Sequence, residues 1–408
     1  MRFGATTSSR LVLFGGLYFA QGVPWGFVTS ALLVRWTGVG LGPAQVSAIG
    51  AAALGPWTWK FLLGPLVDAL GRRRPLLLAC EAVMALTVLA LAAVDPRRDL
   101  GLFLALVFVS SSFVALQDVL TDAVALAILP EAERGRANGV MSAAKYAGTV
   151  VGASGLIFVA GKTGWAACHG LAAALLLLPA GTVLGLDEPP RVRATAGAVV
   201  ELLRQVLRSF GRRATLVAAL FVLLAGASDR LLAPFMVATL RQRLGLTDDQ
   251  MALLGTLGAP TTMAGALAGG WVADRLGRRR AIVAAAVALA AAHLAFGVAT
   301  PSMTTLMAYQ IGNGLAGGML YATTIALCMD LTSPRVAATH FQAFMALFSV
   351  RSIWAGLAGG QLAQRLPGPA LFLVAALIEL LPLALLPFLS RPGEALSSGR
   401  EAQGRRLR

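Results

Sequence analysis

Twelve apolar runs follow one another along the chain, and short polar or basic segments separate them. Each run is long enough to cross a bilayer as a helix, which takes about 20 residues. A helix also satisfies its own backbone hydrogen bonds in the hydrocarbon. The pattern therefore predicts an all-α membrane protein with twelve transmembrane helices. The runs lie at 11–34, 45–67, 75–94, 100–129, 138–160, 165–186, 214–238, 250–273, 281–300, 304–331, 341–363 and 370–390.

Composition agrees with this class. Of the 408 residues, 57% are hydrophobic and 13% are charged, whereas a soluble domain carries about 25% charged residues. No cleavable signal peptide is expected, because residues 1–10 lead directly into the first run without a small-residue cleavage site. The three cysteines, Cys80, Cys168 and Cys328, each stand alone in an apolar run. We therefore expect core positions for them, and we predict no disulfide, metal site or cofactor.

Basic residues are distributed unevenly between the two sides of the predicted membrane. The termini and the even-numbered loops hold 23 of the 34 Lys and Arg residues, the opposite loops hold 7 and the apolar runs hold 4. Because cytoplasmic loops are enriched in Lys and Arg, the chain is predicted to be a multi-pass membrane protein with both termini in the cytoplasm. The positive charge thus reports topology and contact with lipid, and no nucleic-acid partner is predicted.

A motif that recurs at a fixed spacing divides the chain into two halves. The pattern G-x-x-x-D-x-x-G-R-R-R occurs after the second run and again 206 residues later. Such a parallel repeat of six spans is typical of two-bundle secondary transporters. We predict a bundle at 1–186, a cytoplasmic linker with an amphipathic helix at 187–213, a bundle at 214–390 and a disordered tail at 391–408. The motif residues are Gly64, Asp68, Gly71, Arg72, Gly270, Asp274, Gly277 and Arg278.

Each motif position has a physical role in this prediction. Gly64 and Gly270 would let two helices approach closely, and Gly71 and Gly277 would permit a tight reversal. The aspartates would cap the following helix or bond a neighbouring one, while the arginines would anchor the loop at the cytoplasmic surface. The motif resembles the signature loop of the major facilitator superfamily. That resemblance implies the two-bundle fold of the family and a loop that acts as gate and scaffold during alternating access.

Six further motifs occur along the two halves. They are Gln21-Gly22-Val-Pro24-Trp25 in span 1, Gly55-Pro56-Trp57-Thr-Trp59-Lys60 in span 2, Gln117-Asp118-x-x-x-Asp122 in span 4, Glu133-Arg134-Gly135-Arg136 before span 5, Gly226-Ala-Ser-Asp229 in span 7 and Ala338-Thr339-His340-Phe-Gln342 before span 11. Together these motifs resemble those of the AmpG-type muropeptide permeases and related siderophore permeases. The resemblance implies proton-driven import of a bulky, polar solute that often bears carboxylates. The muropeptide permeases are usually longer, with additional spans, so the siderophore branch stays open.

Charged residues inside the spans are the candidates for chemistry. Eight lie well inside the apolar runs, and at about 3 kcal/mol each they would cost over 20 kcal/mol if uncompensated, more than the roughly 5–15 kcal/mol that stabilises a folded domain. They must therefore line a water-filled cavity, form pairs or be partly neutral. Structural ion pairs remain an alternative for each of them. The eight are Lys60, Lys145, Arg230, Arg351, Glu81, Asp118, Asp229 and Glu379.

Site residues follow from these charges and from the polar and aromatic residues near them. Asp118, Asp122 and Glu81 are the predicted proton-coupling groups. The predicted substrate-binding residues are Gln21, Trp25, Trp57, Lys60, Gln117, Lys145, Asp229, Arg230, Tyr309, Asn313 and Arg351. We expect a substrate anion to compete with Asp118 for Lys60 or Lys145, with Asp122 the more structural of the two aspartates. Packing or interfacial anchoring is an equal alternative for the tryptophans.

Other residue types add less to the predicted site. Glu379 could also face lipid. His169 and His293 are interpreted as lone residues in apolar runs and His340 as a loop residue, so a carboxylate is predicted to carry the proton.

The function predicted from sequence is secondary transport by alternating access, with a small-molecule substrate and protons as ligands and a monomer as the expected state. Siderophore import, export of drugs or metabolites and a non-transporting receptor are the alternatives. An enzyme is not predicted, because no Ser-His-acid grouping and no metal-ligand spacing occurs in the chain.

Overall fold

The computed structural model describes residues 6–63, 72–186, 213–331 and 337–389, together with Val67 and Arg204, and this part of the chain is helical without a β-strand. Within the described residues, eleven helices are long and apolar enough to cross a membrane. They are α1 Thr7–Gly38, α3 Arg73–Ala93, α4 Leu100–Ile128, α5 Gly139–Thr163, α6 Trp165–Leu184, α7 Thr215–Leu244, α8 Asp248–Leu276, α9 Arg278–Val298, α10 Met303–Leu331, α11 Phe341–Arg365 and α12 Gly368–Phe388.

The second predicted span is described only in part. Its helix α2 covers Pro43–Leu54, and 3₁₀ turns at Gly55–Thr58 and Lys60–Leu62 follow it. The count of twelve helices is therefore confirmed for eleven and stays a prediction for this one. Outside the described residues lie Gly64, Asp68 and Gly71 of the loop motif, the tail at 391–408 and, apart from Arg204 and Arg213, the linker with its predicted amphipathic helix.

Several helices contain an interruption near the middle of the span. In α1, Pro24 precedes a π-helical turn at Phe27–Ala31, as expected because proline removes a backbone donor and crowds the preceding turn. A second π turn covers Val151–Gly155 in α5. In α7, Gly226 takes a positive φ of 77° and separates the helical segments Arg213–Leu224 and Ala227–Pro234. The interruptions lie beside charged and aromatic candidates of the site.

The chain forms two compact units that each combine several segments. Unit 1 contains Met1–Thr195, Ala233–Ala259 and Gly356–Arg365, and unit 2 contains Ala196–Leu232, Pro260–Ala355 and Leu366–Arg408. In unit 1 the end of α7 is bound to the end of α1, where Arg241 donates to the Val34 carbonyl and to the Thr37 hydroxyl. Arg241 also pairs with Asp248 at the start of α8. The two six-helix bundles with their sequence boundaries stay a prediction.

In unit 1, four glycines bring the backbones of α1 and α5 together. A Cβ at Gly22 would lie 2.6 Å from the Thr149 nitrogen, and a Cβ at Gly152 would lie 2.9 Å from the Val23 Cα. Gly26 and Gly148 are equally enclosed by the facing backbone. The pairs 22/26 and 148/152 each have the spacing G-x-x-x-G, which permits close helix contact where lipid gives no hydrophobic driving force.

In unit 2, glycines also allow close backbone contact between α8 and α10. A Cβ at Gly265 would lie 2.8 Å from the Leu315 Cα, and a Cβ at Gly269 would lie 2.8 Å from the Met319 Cα. The close approach that the sequence suggested for Gly270 was wrong, because no described atom lies within 4 Å of a Cβ at that position. Gly270 follows Gly269 by one residue and so points to a different face of the helix.

The loop between α8 and α9 agrees in part with the predicted loop chemistry. Gly277 has a φ of 83° and makes the tight reversal. Arg278 pairs with Asp330 and donates to the Ala326 carbonyl at 2.7 Å, so it anchors the loop to the end of α10. The capping role expected of Asp274 was wrong, because Gly277 occupies the N-cap of α9 and the side chain of Asp274 is exposed. Before α3, Arg72 is exposed at the corresponding N-cap.

Candidate functional site

Unit 1 places Asp118 between two lysines that come from different elements. The Asp118 carboxylate pairs with Lys60, which lies on the 3₁₀ turn after α2, and its other oxygen lies 3.6 Å from the Lys145 ammonium on α5. The Asp118 side chain is 5% exposed, that of Lys60 18% and that of Lys145 37%. Lys145 is therefore the cation that an incoming anion can reach most easily.

Aromatic rings surround the two ammonium groups. The Lys60 Nζ lies 5.2 Å from the ring centre of Trp57, and the Lys145 Nζ lies 5.5 Å from the same ring and 5.7 Å from that of Tyr18. Trp25 on α1 meets Trp57 edge to face with 6.0 Å between ring centres. Aromatic faces attract cations at such distances. The rings thus position both lysines and add apolar surface beside the charges.

The remaining polar residues of this cluster fall into two groups. Asp122 accepts a hydrogen bond from the Tyr18 hydroxyl, and the Gln117 amide donates to the Leu17 carbonyl at 3.3 Å. Gln21 is buried, and within the described residues neither its amide nitrogen nor its amide oxygen has a hydrogen-bond partner. The amide oxygen of Gln117 is also buried and has no hydrogen-bond partner among the described residues. Buried polar atoms of this kind cost free energy unless a ligand or water satisfies them.

Glu81 is placed differently from the other predicted proton-coupling groups. It lies on α3, is fully buried, and neither of its carboxyl oxygens has a hydrogen-bond partner among the described residues. The ion pairs of Asp118 and the hydrogen bond of Asp122 do not include it. The structure therefore brings Asp118 and Asp122 into one cluster and places Glu81 outside its contacts.

Unit 2 holds a second cluster of predicted site residues. Asp229 lies 3.5 Å from the guanidinium of its neighbour Arg230, and it accepts a hydrogen bond of 2.9 Å from the Asn313 amide on α10. The Arg351 guanidinium donates to the Ala225 carbonyl, which the interruption at Gly226 exposes. Both basic groups carry donors suited to an anion, but Arg230 is half exposed whereas Arg351 is buried.

Sequence reasoning missed a buried network that adjoins this second cluster. Glu379 accepts hydrogen bonds from the Gly226 N–H at 3.0 Å and from the Ser228 hydroxyl at 2.5 Å. His293 contacts Ser228 at 2.9 Å and Tyr309 at 3.1 Å. The interpretation of His293 as a lone core residue was therefore wrong. The alternative of a lipid-facing Glu379 was wrong as well, because the side chain is fully buried.

Two ion pairs lie outside the apolar segments. In the loop between α3 and α4, Arg97 donates from Nε and Nη2 to the two carboxylate oxygens of Asp95, at 3.0 and 2.7 Å, and these hydrogen bonds lower the pKa of Asp95 to about 2. Before the apolar part of α5, Glu133 accepts hydrogen bonds from Arg10 and Thr7, which hold its pKa below the usual value. The second pair ties the start of α1 to the approach to α5.

Comparisons with known proteins match most of the chain. The family model described as Major Facilitator Superfamily matches residues 14–227 and 218–408. The anhydromuropeptide permease of Escherichia coli (strain K12) is 28% identical over 376 residues, covering 88% of this chain and 74% of that protein. The putative transporter AmpG 4 of Rickettsia conorii (strain ATCC VR-613 / Malish 7) is 22% identical over 402 residues, covering 92% and 95%.

Solved structures show the same fold at lower sequence identity. The nucleoside transporter NupG aligns with a TM-score of 0.76 at 15% identity, covering 92% of this chain and 98% of that one. The xylose transporter XylE from E. coli, in an inward-open conformation, aligns with a TM-score of 0.70 at 14% identity, covering 95% and 97%. Likeness at this identity concerns the arrangement of helices alone.

Proposed function

Because the chain belongs to the Major Facilitator Superfamily, and is therefore a membrane transporter and not an enzyme, we propose that it imports a bulky, anionic solute such as a muropeptide together with protons. The proposed location is the bacterial inner membrane, and the proposed mechanism is alternating access. The observation that carries the proposal is the position of Asp118 between Lys60 and Lys145, beside Trp57.

Charge balance in the unit 1 cluster links the substrate to the proton. Lys60 and Lys145 contribute two positive charges, and Asp118 and Asp122 contribute two negative charges when ionised. A substrate carboxylate that binds the lysines adds one negative charge to a site in which charge is costly. Protonation of Asp118 restores the balance and releases its lysine partners for the substrate. Substrate binding and proton binding thereby favour one another.

The aromatic residues of the cluster fit a solute with both apolar and charged parts. Trp25 and Trp57 present ring surface next to the ammonium groups, and Gln21 and Gln117 offer amide atoms without hydrogen-bond partners among the described residues. A pocket with apolar walls and a few placed polar groups is typical of small-molecule sites. A muropeptide joins a sugar to a short peptide with carboxylates and could use all three kinds of contact.

One proton per solute supplies enough energy for useful accumulation. A solute with one negative charge that enters with one proton carries no net charge, so the pH difference drives its accumulation, at about 1.4 kcal/mol or tenfold per pH unit. Each further proton would add a net positive charge, which a potential of 100 mV drives with about 2.3 kcal/mol. A pH difference across the membrane can therefore drive import of the proposed solute.

Uptake into vesicles containing the purified protein tests the proposal. A labelled anhydromuropeptide should accumulate when the outside is more acidic, and a proton conductor should remove the accumulation. Accumulation of a ferric siderophore in its place would favour siderophore import. Extrusion of hydrophobic drugs would favour export, and binding without movement would favour a receptor; any of these three results would overturn muropeptide import.

A further inference from the structure

Four buried side chains from four helices form a continuous hydrogen-bonded chain in unit 2. Glu379 on α12 is hydrogen-bonded to Ser228 on α7, Ser228 to His293 on α9, and His293 to Tyr309 on α10. The successive distances are 2.5, 2.9 and 3.1 Å. The side chains of Glu379, Ser228 and His293 are fully buried and that of Tyr309 is 7% exposed. None of the four served as a proton-coupling group in the proposed function.

The interruption of α7 at Gly226 places Glu379 at one end of this chain. The positive φ of Gly226 frees its N–H from the helix, and that N–H donates to the second oxygen of Glu379 at 3.0 Å. The Arg351 guanidinium donates a hydrogen bond to the neighbouring Ala225 carbonyl. Backbone groups freed within a membrane span must be satisfied by protein or water. Glu379 thus has two donors already aimed at its carboxylate.

Counting donors gives the direction of every bond in the chain. The Ser228 hydroxyl has one proton, and it donates this proton to Glu379. His293 must then donate to Ser228 from Nε2, so its Nδ1 is an acceptor and Tyr309 donates to it. Every donor in the chain points toward the Glu379 carboxylate. The same four groups can also be satisfied in the reverse direction when one more proton is present.

We propose that Glu379, Ser228 and His293 form a second proton-binding site, with Tyr309 at its entrance. A proton that arrives at His293 Nδ1 allows Nε2 to pass its proton to Ser228, and Ser228 to pass its own to Glu379. After the transfer Glu379 donates to Ser228, Ser228 donates to Nε2, and Nδ1–H donates to Tyr309. One proton enters and one O–H bond forms on Glu379, so the balance needs no other reactant. The inference rests on the proton coupling proposed above.

The charged groups around the chain come from the helices packed against it. Asp229 and Arg230 follow Ser228 on α7, and Arg351 faces the chain from α11. Asn313 on α10 holds Asp229 beside Arg230. A cation therefore lies near the Glu379 end of the chain and a carboxylate near the His293 end.

Infrared difference spectra of the purified full-length protein between acid and neutral pH test the site without any substrate. One component of the protonated-carboxyl absorption expected in the wild type should disappear in Glu379→Gln, because the glutamine oxygen can accept from the Gly226 N–H and its NH2 can donate to Ser228, but the side chain cannot bind the proton. Glu379→Asp should restore a band, which separates loss of the site from failure to fold. Ser228→Ala should shift the band, whereas Ser154→Ala should not, because Ser154 is a buried serine that donates to Ala252 in unit 1.

Three outcomes of this measurement would overturn the proposal. They are the absence of a protonated-carboxyl band in the wild type, a spectrum of Glu379→Gln that retains every component of the wild-type band, and loss of the same component in Glu81→Gln or Asp118→Asn. Histidine supplies the matched control, because His169 is equally buried but contacts Trp165 and Arg35 in unit 1. His293→Gln should alter the pH dependence of the band and His169→Gln should leave it unchanged.

A transport measurement then separates this proposal from the proposed function. In Glu379→Gln, uptake driven by a pH difference should fall to the rate seen without one, while exchange of labelled for unlabelled solute should persist. If the wild type shows no proton-driven uptake but the infrared band behaves as expected, proton coupling of import fails and the proton site stands. If uptake is proton-driven in the wild type and unchanged in Glu379→Gln, the proton site fails and the proposed function stands.

Discussion

At the scale of single residues, Asp118 and Asp122 lie one turn apart on α4 but have partners of different chemistry. Asp118 is held by two ammonium groups, and Asp122 by the hydroxyl of Tyr18. A bond between a carboxylate and lysines depends on charge, whereas a bond from a phenol also forms to a neutral amide oxygen. The two positions should therefore respond differently to the same substitution.

Asp118→Asn is expected to lower pH-driven uptake to the rate without a pH difference, because the asparagine can no longer exchange a proton. Asp122→Asn should still show uptake driven by the pH difference, because the asparagine amide oxygen can accept the hydrogen bond from Tyr18. The measurement is solute accumulation in vesicles with and without a pH difference, after both variants have been shown to elute as the wild type does. Loss of proton-driven uptake in Asp122→Asn but not in Asp118→Asn would contradict the assignment of proton coupling to Asp118.

Substitution of Lys60 should mainly lower the stability of the protein, and substitution of Lys145 should mainly weaken substrate binding. Lys60→Met removes the close partner of a buried carboxylate, a change that costs about 3–5 kcal/mol in buried pairs. Lys145 is more exposed and lies at 3.6 Å, so Lys145→Met should cost less stability and raise the KM of uptake. Thermal unfolding in detergent and the concentration dependence of uptake check the two effects. Equal destabilisation by both variants would argue against unequal roles in the pair.

Asp95 gives a prediction for acid stability outside the membrane segments. Its pKa is about 2 in the folded protein because Arg97 binds the carboxylate, and about 3.9 in an unfolded chain. A lowered pKa contributes stability that is present above the unfolded value and lost as the pH falls through the folded one. The difference in unfolding temperature between wild type and Asp95→Asn should therefore shrink between about pH 4 and pH 2. A constant difference over that interval would be inconsistent with this assignment.

Site residues could be predicted from the sequence where the residue itself is unusual in its local segment. Charged residues in an apolar run, such as Asp118 and Lys60, are conspicuous in the sequence, and unit 1 brings them into contact. Ser228 and His293 gave no such signal, because serine and histidine are unremarkable singly and their partner Glu379 is 151 residues from Ser228. Their roles depend on which helices are neighbours, and one sequence does not state that.

At the scale of helices, the contact between α1 and α5 is made by backbone on backbone. Gly148→Ala should cost about 1–3 kcal/mol by overpacking, because a Cβ there would lie 3.0 Å from the Phe19 carbonyl carbon. Gly139→Ala on the same helix is the matched control, since no described atom lies within 4 Å of its Cβ position. In an open helical position alanine should be neutral or stabilising. Unfolding temperatures in detergent check both, and a similar loss in the two variants would exclude a steric cause.

The apolar pattern located the helices but not their interruptions. The eleven long helices fall on predicted runs because length and hydrophobicity are local properties. Pro24 marked the distortion of α1 in advance, whereas the π turn at Val151–Gly155 has no proline within it. The G-x-x-x-G spacings in α1, α5, α8 and α10 were present in the sequence as well. They could have indicated close packing, although not which helices pair.

For the whole molecule, the distribution of basic residues makes a prediction about sidedness. Both termini should be cytoplasmic, since the termini and even-numbered loops hold 23 of the 34 Lys and Arg. A fluorescent protein fused after Arg408 should fluoresce, and alkaline phosphatase fused in the loop at 95–99 should be active only if that loop is outside. Phosphatase activity at the C-terminus in place of fluorescence would reverse the assigned topology.

The repeat at an offset of 206 residues predicted which features the two halves share and which they do not. Lys145 corresponds to Arg351 by this offset, and both are basic groups of a polar cluster. Asp118 corresponds to Thr324, so the carboxylate between two lysines has no equivalent in unit 2. The helix interruption at Gly226 and its contact with Glu379 were not predicted by the repeat, because the equivalent of Gly226 is Ala20 and α1 is not interrupted there.

The glycine contacts also restrict how the transporter can change shape. Between α1 and α5, and at Gly265 and Gly269 between α8 and α10, main-chain atoms of the facing helix lie within 3 Å of the Cβ position. Sliding either pair would drive main-chain atoms into one another, so each pair has to move as a rigid body. Bending must then occur where the helical hydrogen bonds are already incomplete. Gly226 is such a place, and a hinge there would pull directly on the carboxylate of Glu379.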